Sequence, residues 1–396
     1  MKIGSLLLLC FSFFLVNIPS EAQEEKYYKG NLHTHSYWSD GDEFPEMIMQ
    51  WYKNKGYDFV ALSDHNSIAE GDKWKTIPRD SLYQDAFLQY LEKYGEDWVH
   101  YRKDSTGTHV KLKALSEFRS MFEEDEKFMI FRAEEVTSYL GDKAVHMGAI
   151  NVQEFIEPRE GNTIVELIQN NQNAIREQSE RTGEPILQHL NHPNFTYAIT
   201  AEDIIQIDGE RFFEVFNGHP YVNNYGDSIH NSTEKMWDQV NIAYLNTGKP
   251  IMYGLATDDS HHYHKFGSKF SNAGRGWVMV KSKTLHPHAL LAAMEAGDFY
   301  STTGVVLESI QFEDNTLSLK IKAEEGVTYT TEFITANKDD SRGETVRSVE
   351  GTEASFTLPK DHLFVRAKIT SSKLKENPYM EGDVEVAWTQ PFLPEN

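Results

Sequence analysis

Histidines and acids recur at short spacings along this chain. His33-Thr34-His35 is followed by Asp40-Gly41. Ser63-Asp64-His65, Glu134-Glu135, Val145-His146-Met147, Asn191-His192-Pro193 and Asp258-Asp259-Ser260-His261 continue the series. Imidazole nitrogens and carboxylate oxygens form the mixed donor set that suits zinc, manganese or iron. Residues two apart at the end of a strand point to the same face, so His33 and His35 can reach one ion. A single His-x-His carries little weight, and each other cluster has an ordinary reading as a polar strand end or solvated loop. Six such clusters together are harder to dismiss. Imidazoles and carboxylates buried in one place repel or desolvate one another unless cations pair them.

The elements that must position these side chains are legible as apolar runs. Phe59-Val60-Ala61-Leu62 leads into Ser63, Phe128-Met129-Ile130-Phe131 into Glu134, and Met252-Tyr253-Gly254-Leu255 into Asp258. Pro185-Ile186-Leu187 precedes His192 in the same way. Helical patterns alternate with the runs. Residues 163–181 set Ile164, Leu167, Ile168 and Ile175 near one face, and residues 287–296 form a second amphipathic stretch ended by Gly297. This alternation predicts an α/β fold with parallel strands, a barrel being the arrangement that gathers a site at the strand C-termini. Residues 66–128 are polar and aromatic-rich and interrupt the alternation as a helical insertion. After Gly304 the texture becomes short alternating segments separated by turn residues, which predicts a small antiparallel β-sandwich over 305–396.

Composition narrows the partners. The 396 residues exceed what one core usually supports, so two domains are expected. A net charge of −23 argues against nucleic acid and against an anionic membrane surface. A small anionic substrate stays compatible, because bound cations would dominate the local field. Lys2, the apolar run over 3–18 and Ser20-Glu21-Ala22 read as a signal peptide over 1–22, cleaved near Ala22, with a secreted or periplasmic destination. The run is short for a membrane span. The single cysteine, Cys10, falls inside it, so residues 23–396 must hold together without disulfides.

The ordered set His33-x-His35…Asp40-Gly41, Ser63-Asp64-His65, Glu135, His146, His192-Pro193 and Asp259-x-His261 resembles the PHP family, named for polymerase and histidinol phosphatase domains, over roughly residues 27–304, within an expected hydrolase domain over 23–304. The stretch 290–304 and the closing Ala387-Trp388-Thr389-Gln390-Pro391 are similar to a secreted subgroup with a C-terminal β-domain. The resemblance implies a distorted (β/α)7 barrel holding two or three divalent metals and hydrolysing phosphomonoesters or phosphodiesters. It assigns His33, His35, Glu135 and Asp259 to a first metal. Glu135 would bridge to a second metal held by His146 and His192. Asp40, His65 and His261 would hold a third. Glu134 and Asp258 stand as alternatives to Glu135 and Asp259, and His262 and His264 as outer or structural residues.

The implied chemistry is attack by a metal-bridged hydroxide on a small phosphorylated substrate at a trinuclear site. Asp64, beside a ligand, is a candidate to orient it or take a proton from water. His219, in Asn217-Gly218-His219-Pro220, and Arg275, in Gly274-Arg275-Gly276-Trp277, are candidates for phosphate or leaving-group contacts. Two other readings are an amidohydrolase-like metal hydrolase and a non-catalytic glycan-binding protein. The second would use the aromatics of the insertion, Trp74, Tyr83, Tyr90, Tyr94, Trp98 and Tyr101.

Overall fold

The apolar runs that precede the histidine and acid clusters form strands in the computed structural model, which describes residues 24–395. The leader expected at residues 1–22 lies outside the described residues. In chain order the elements are β1 (Lys26–Asn31), α1 (Pro45–Asn54), β2 (Phe59–Leu62), β3 (Trp74–Thr76), α2 (Ser81–Tyr94), β4 (Tyr101–Asp104), β5 (Gly107–Lys111), α3 (Leu115–Phe122), β6 (Met129–Leu140), β7 (Lys143–Ile150), α4 (Ile164–Thr182), β8 (Leu187–Leu190), α5 (Ala201–Ile205), β9 (Phe212–Asn217), α6 (Thr233–Thr247) and β10 (Tyr253–Thr257). The chain continues through β11 (Trp277–Ser282), α7 (Pro287–Ala296), β12 (Phe299–Thr302), β13 (Leu307–Glu313), β14 (Thr316–Ile321), β15 (Tyr329–Ala336), β16 (Glu344–Glu350), β17 (Glu353–Thr357), β18 (Phe364–Leu374) and β19 (Val384–Thr389).

The fold is mixed α/β. A large mixed sheet of thirteen strands runs in the order β10-β9-β8-β7-β6-β2-β1-β11-β12-β19-β18-β15-β16. β1, β2 and β6 are parallel, and so are β8, β9 and β10. β7 is antiparallel to both neighbours, which departs from the all-parallel arrangement expected. The cause is the length of its connection. Gly141 and Asp142 alone join β6 to β7, with Gly141 at φ +65. Two residues close a hairpin, whereas a parallel return needs about a dozen.

Helix α4 matches its sequence pattern. The Thr163 side chain accepts a hydrogen bond from the Glu166 amide, and left-handed Gly183 ends the helix. Its buried stripe of Ile164, Leu167, Ile168 and Ile175 packs with Val145 and Met147 of β7 and Leu190 of β8. Each such side chain contributes about 1.5–3 kcal/mol by leaving water. That packing fixes the backs of two strands whose ends carry His146 and His192.

Residues 66–128, expected to be helical, hold α2 and α3 but also a separate antiparallel sheet in the order β3-β5-β4. The segment shares a core with α1: Phe87, Tyr90 and Phe118 join Phe44, Met49 and Tyr52. Tyr90 stacks on Phe44 at 3.9 Å and is buried, so much of the aromatic content serves packing. The C-terminal strands are not set apart from the rest. β12 pairs with β11 on one side and β19 on the other, so β12, β19, β18, β15 and β16 extend the large sheet. A separate small antiparallel sheet, β13-β14-β17, covers them across a core that includes Tyr300, Leu317, Phe333, Val365 and Ile369.

Candidate metal centre

The chain leaving β1 and the chain leaving β10 are stitched together directly above the strands. Thr34 bridges Ser260 in parallel fashion, the His35 amide donates to the Ser260 carbonyl at 3.0 Å, and the Asp259 amide donates to the His33 carbonyl at 3.1 Å. A second bridge joins His65 to Glu135 beyond the ends of the β2–β6 pair. These backbone contacts bring the first, second, third and last sequence clusters within reach of one another.

The side chains complete the convergence. Four overlapping sets offer donor atoms mutually within 4.8 Å: His35, Asp40, His65 and His261; His33, His192 and Asp259; His33, His35 and Glu135; and His65, Glu135 and His146. Together they contain all nine residues singled out from the sequence as metal ligands. Glu135 and Asp259 are the hubs. Nε2 of His33 lies 3.2 Å from Glu135 and 3.3 Å from Asp259, and Nε2 of His35 lies 3.2 Å from each. His192 Nε2 and His146 Nδ1 approach Glu135 at 3.3 and 3.0 Å. Asp40 stands at the mouth with its side chain 61% exposed, 3.3 Å from His261 and 3.8 Å from His65.

Several of these short approaches are not hydrogen bonds. Nε2 of His33 and His35, both ring nitrogens of His146 and Oε2 of Glu135 are buried without a hydrogen-bond partner among the described residues. Buried polar atoms are normally paired, and each orphan costs about 1–3 kcal/mol. These orphans fit divalent cations: those of His33, His35 and Glu135 converge on one place, and a His146 nitrogen converges with Glu135 and His65 on another. The charge balance agrees. Burial disfavours ionisation of Glu135 and Asp259, yet the surrounding imidazoles hold both carboxyls well below the usual range. Burial likewise opposes a charged His33, yet Asp259, Glu135 and Glu214 hold its imidazole well above the ordinary value. Protons on the imidazoles occupy the role a cation would take, and metal binding would displace them.

Other groups aim the rings. Glu214, in the middle of β9 and fully buried, was not recognised from the sequence. Its Oε1 meets His33 Nδ1 and Thr257 Oγ1, each at 2.7 Å. Its Oε2 accepts from the His192 amide and Asn217 Nδ2, each at 2.8 Å. His33 Nδ1 is therefore the donor, which leaves a lone pair on Nε2 facing the cluster. The one signal for Glu214 was an acid inside the apolar run Phe212-Phe213-Glu214-Val215-Phe216. His261 Nδ1 donates to the Asp259 carbonyl at 2.9 Å, and Asn191 Nδ2 donates to Glu135 Oε1 at 2.7 Å. His192 and Asp259 hold φ of +22 and +49, left-handed backbone at two non-glycine residues. Such strain, about 1–3 kcal/mol each, persists where surrounding bonds impose it.

The alternatives resolve by direction. Glu134 Oε2 accepts from the Ile156 amide at 2.9 Å, away from the cluster, and burial pushes its carboxyl up to about 8. Asp258 accepts from Tyr52 and from the Arg275 and Gly276 amides. His262 Nδ1 accepts from the Ser271 amide, and His264 pairs with Glu43.

Asp64 is bonded to the loop after His35. It accepts from the Ser36 amide at 2.8 Å, the Ser36 hydroxyl at 2.7 Å and the Ser39 hydroxyl at 2.6 Å. It thus fixes the turn that presents Asp40 rather than facing the donor cluster. His219 lies beside the cluster, its ring 5.4 Å from His261. Its Nδ1 accepts from the Tyr221 amide at 3.2 Å, which puts the ring proton on Nε2. Burial pushes His219 down to about 3, so the ring is neutral. Arg275 departs from the substrate-contact expectation. It is buried, and its guanidinium donates to the carbonyls of Gly218, Phe270, Gly267 and Asn377 at 2.6–3.0 Å. Backbone acceptors occupy its donors, so it staples the loop over 267–275 to the chain after β9.

No protein-family model matches the sequence. No curated protein matches it significantly. Solved structures give remote likenesses. A two-domain protein from Bacteroides vulgatus, containing a predicted PHP-like metal-dependent phosphoesterase, is 13% identical with a TM-score of 0.40, covering 93% of this chain and 95% of that one. A proposed metal-dependent phosphoesterase from Bifidobacterium adolescentis is 13% identical with a TM-score of 0.30, covering 62% and 92% respectively. An amidohydrolase from Chromobacterium violaceum is 12% identical with a TM-score of 0.29, covering 61% and 90%. At these identities and scores the likenesses establish neither family nor activity.

Proposed function

We propose that this chain is a metal-dependent hydrolase of phosphate esters, of the PHP type, with three divalent cations held by the nine converging donors. The observation that carries the reading is the set of orphaned buried donor atoms on His33, His35, His146 and Glu135. His33, His35, Glu135 and Asp259 would hold one ion, Glu135, His146 and His192 a second, and Asp40, His65 and His261 a third. The cations would supply a water nucleophilic at neutral pH and offset charge on the phosphoryl oxygens.

The chain's own residues do the rest. Glu214 holds His33 in the tautomer that leaves Nε2 free to ligate. Asp64 sets the loop that carries Asp40 to the mouth. His219 is neutral, with its proton on Nε2, and so is a hydrogen-bond donor to a substrate or leaving-group oxygen. The cation-poor, acid-rich chain favours a small phosphorylated compound over nucleic acid. In the same reading the strands β1, β2 and β6 to β10 form a seven-stranded barrel, residues 23–304 are the hydrolase domain and 305–396 the β-sandwich domain. The chain is exported and residues 1–22 are removed.

The test is turnover of p-nitrophenyl phosphate and bis-p-nitrophenyl phosphate by protein purified without chelator, with zinc, manganese or iron added. Hydrolysis of either ester, lost in His33→Ala and Asp259→Ala, supports the reading and separates monoester from diester preference. A fully loaded protein that hydrolyses neither ester, while cleaving an amide or lactone, would move the site to amidohydrolase-like chemistry.

A further inference from the structure

A second recess lies away from the donor cluster. It is a cavity of about 770 Å³ between α1, the β1–β11 pair and the loop over 266–274. None of the nine metal-ligand candidates lines it. Its walls are aromatic: Trp51, Tyr57, Trp277 and Phe266, the last 62% exposed. Two lysines, Lys29 and Lys55, also line it, against the single carboxylate of Glu376.

The charges are unusual for this chain. Acids outnumber bases 61 to 38 over the whole chain, whereas two lysines and one glutamate line this recess. Neither Lys29 nor Lys55 forms an ion pair among the described residues. Lys29 Nζ instead sits over the Tyr57 ring at 3.9 Å and the Trp277 ring at 4.1 Å. Lys55 Nζ is 5.9 Å from the Trp51 ring. Ring faces attract a cation but leave its hydrogen-bond donors unused. Tyr57 is buried, and its hydroxyl has no hydrogen-bond partner among the described residues. Burial, aided by Lys55, pushes Lys29 down to about 8 even though Asp258 and Asp58 oppose the shift, and a further anion beside it would relieve that cost. The volume falls in the range of about 300–1,000 Å³ that houses small molecules.

We propose that this cavity binds a small organic anion with a flat ring face, its acid group at Lys29 and Lys55 and its ring against Trp51 and Trp277. An aryl carboxylate and an acidic sugar share that chemistry. The site is independent of the phosphoesterase reading, because none of its residues touches the donor cluster and its test does not depend on turnover.

The experiment uses the full chain and reads tryptophan fluorescence and titration calorimetry. The probes are 2-naphthoate and glucuronate, each beside a neutral counterpart, 2-naphthylmethanol and glucose. One or both anions should bind with Kd of about 1 mM or tighter, and the neutral counterpart roughly tenfold more weakly. Lys55→Met, at an exposed position that leaves the fold intact, should weaken binding roughly tenfold, and Lys29→Met at least as much. Which anion binds identifies the source. No binding of either anion at about 10 mM, or binding that is unchanged in both lysine variants, would overturn the proposal.

Discussion

Glu214→Gln is the most informative single change near the donor cluster. All four partners of the Glu214 carboxylate face it as donors: His33 Nδ1, Thr257 Oγ1, the His192 amide and Asn217 Nδ2. Glutamine keeps the shape but has one acceptor oxygen and one amino group. The His192 amide and Asn217 Nδ2 cannot become acceptors in place, so the glutamine carbonyl must face them. Its amino group then faces Thr257 and His33, and both of these can accept. His33 does so by moving its proton to Nε2, which removes the lone pair it would offer a metal. One charge-assisted hydrogen bond is lost, about 1.5–3 kcal/mol, and an orienting partner of this kind is worth about 10–100-fold in metal affinity. Competition with a chelator of known affinity measures the change, and the nitrogen chemical shifts of His33 report its tautomer. Unaltered metal affinity with His33 still protonated at Nδ1 would refute the reasoning.

Three further outcomes are expected. Arg366 on β18 makes a buried two-pronged pair with Asp238 on α6, at 2.7 and 2.8 Å. Asp238→Ala should cost about 3–5 kcal/mol in urea unfolding, and an Asp238→Leu, Arg366→Met double variant should recover most of it. Glu210 is buried, and burial raises its carboxyl to about 8. The unfolded chain ionises this group near its ordinary value while the folded chain keeps the proton, so stability falls as pH rises between the two values and levels off above about 8. Glu210→Gln should flatten the fall of the unfolding free energy across that window by an amount on the order of a few kcal/mol, read by urea unfolding at each pH; an unchanged profile would show that the group is not protonated in the fold. Arg275→Lys should lower stability by about 1–3 kcal/mol while leaving KM for a phosphate ester within about twofold, since its donors go to backbone carbonyls. A large rise in KM with unchanged stability would restore Arg275 as a substrate contact.

Much of the site was legible because its chemistry is local. Histidines and acids at strand ends stand out against apolar runs, and His33, His65, Glu135, His192 and Asp259 lie where those runs stop. Glu214 was hidden because it sits inside a strand, where a lone acid reads as an interruption of an apolar face. Its partners, His33 and Thr257, are distant in sequence. The β6–β7 hairpin was missed because alternation in an apolar run reports burial and not the direction of the neighbouring strand; the Gly141-Asp142 turn was the available clue. For the same reason the alternating segments after Gly304 predicted antiparallel strands but not their continuation of the site-bearing sheet through β12. Arg275 illustrates a different gap. A glycine-flanked arginine looks poised for an anion, yet here the flexible loop wraps back and saturates it with carbonyls.

The central claim is that nine side chains from six segments in or just beyond the strands hold divalent cations. Anomalous diffraction from crystals of the chain grown with zinc or manganese tests it most directly. Three anomalous peaks are predicted, one near Nε2 of His33 and His35, one near His146 and His192, and one between Asp40, His65 and His261, each about 2.0–2.2 Å from its ligand atoms. Peaks elsewhere on the surface, or none among these residues under saturating metal, would contradict the account.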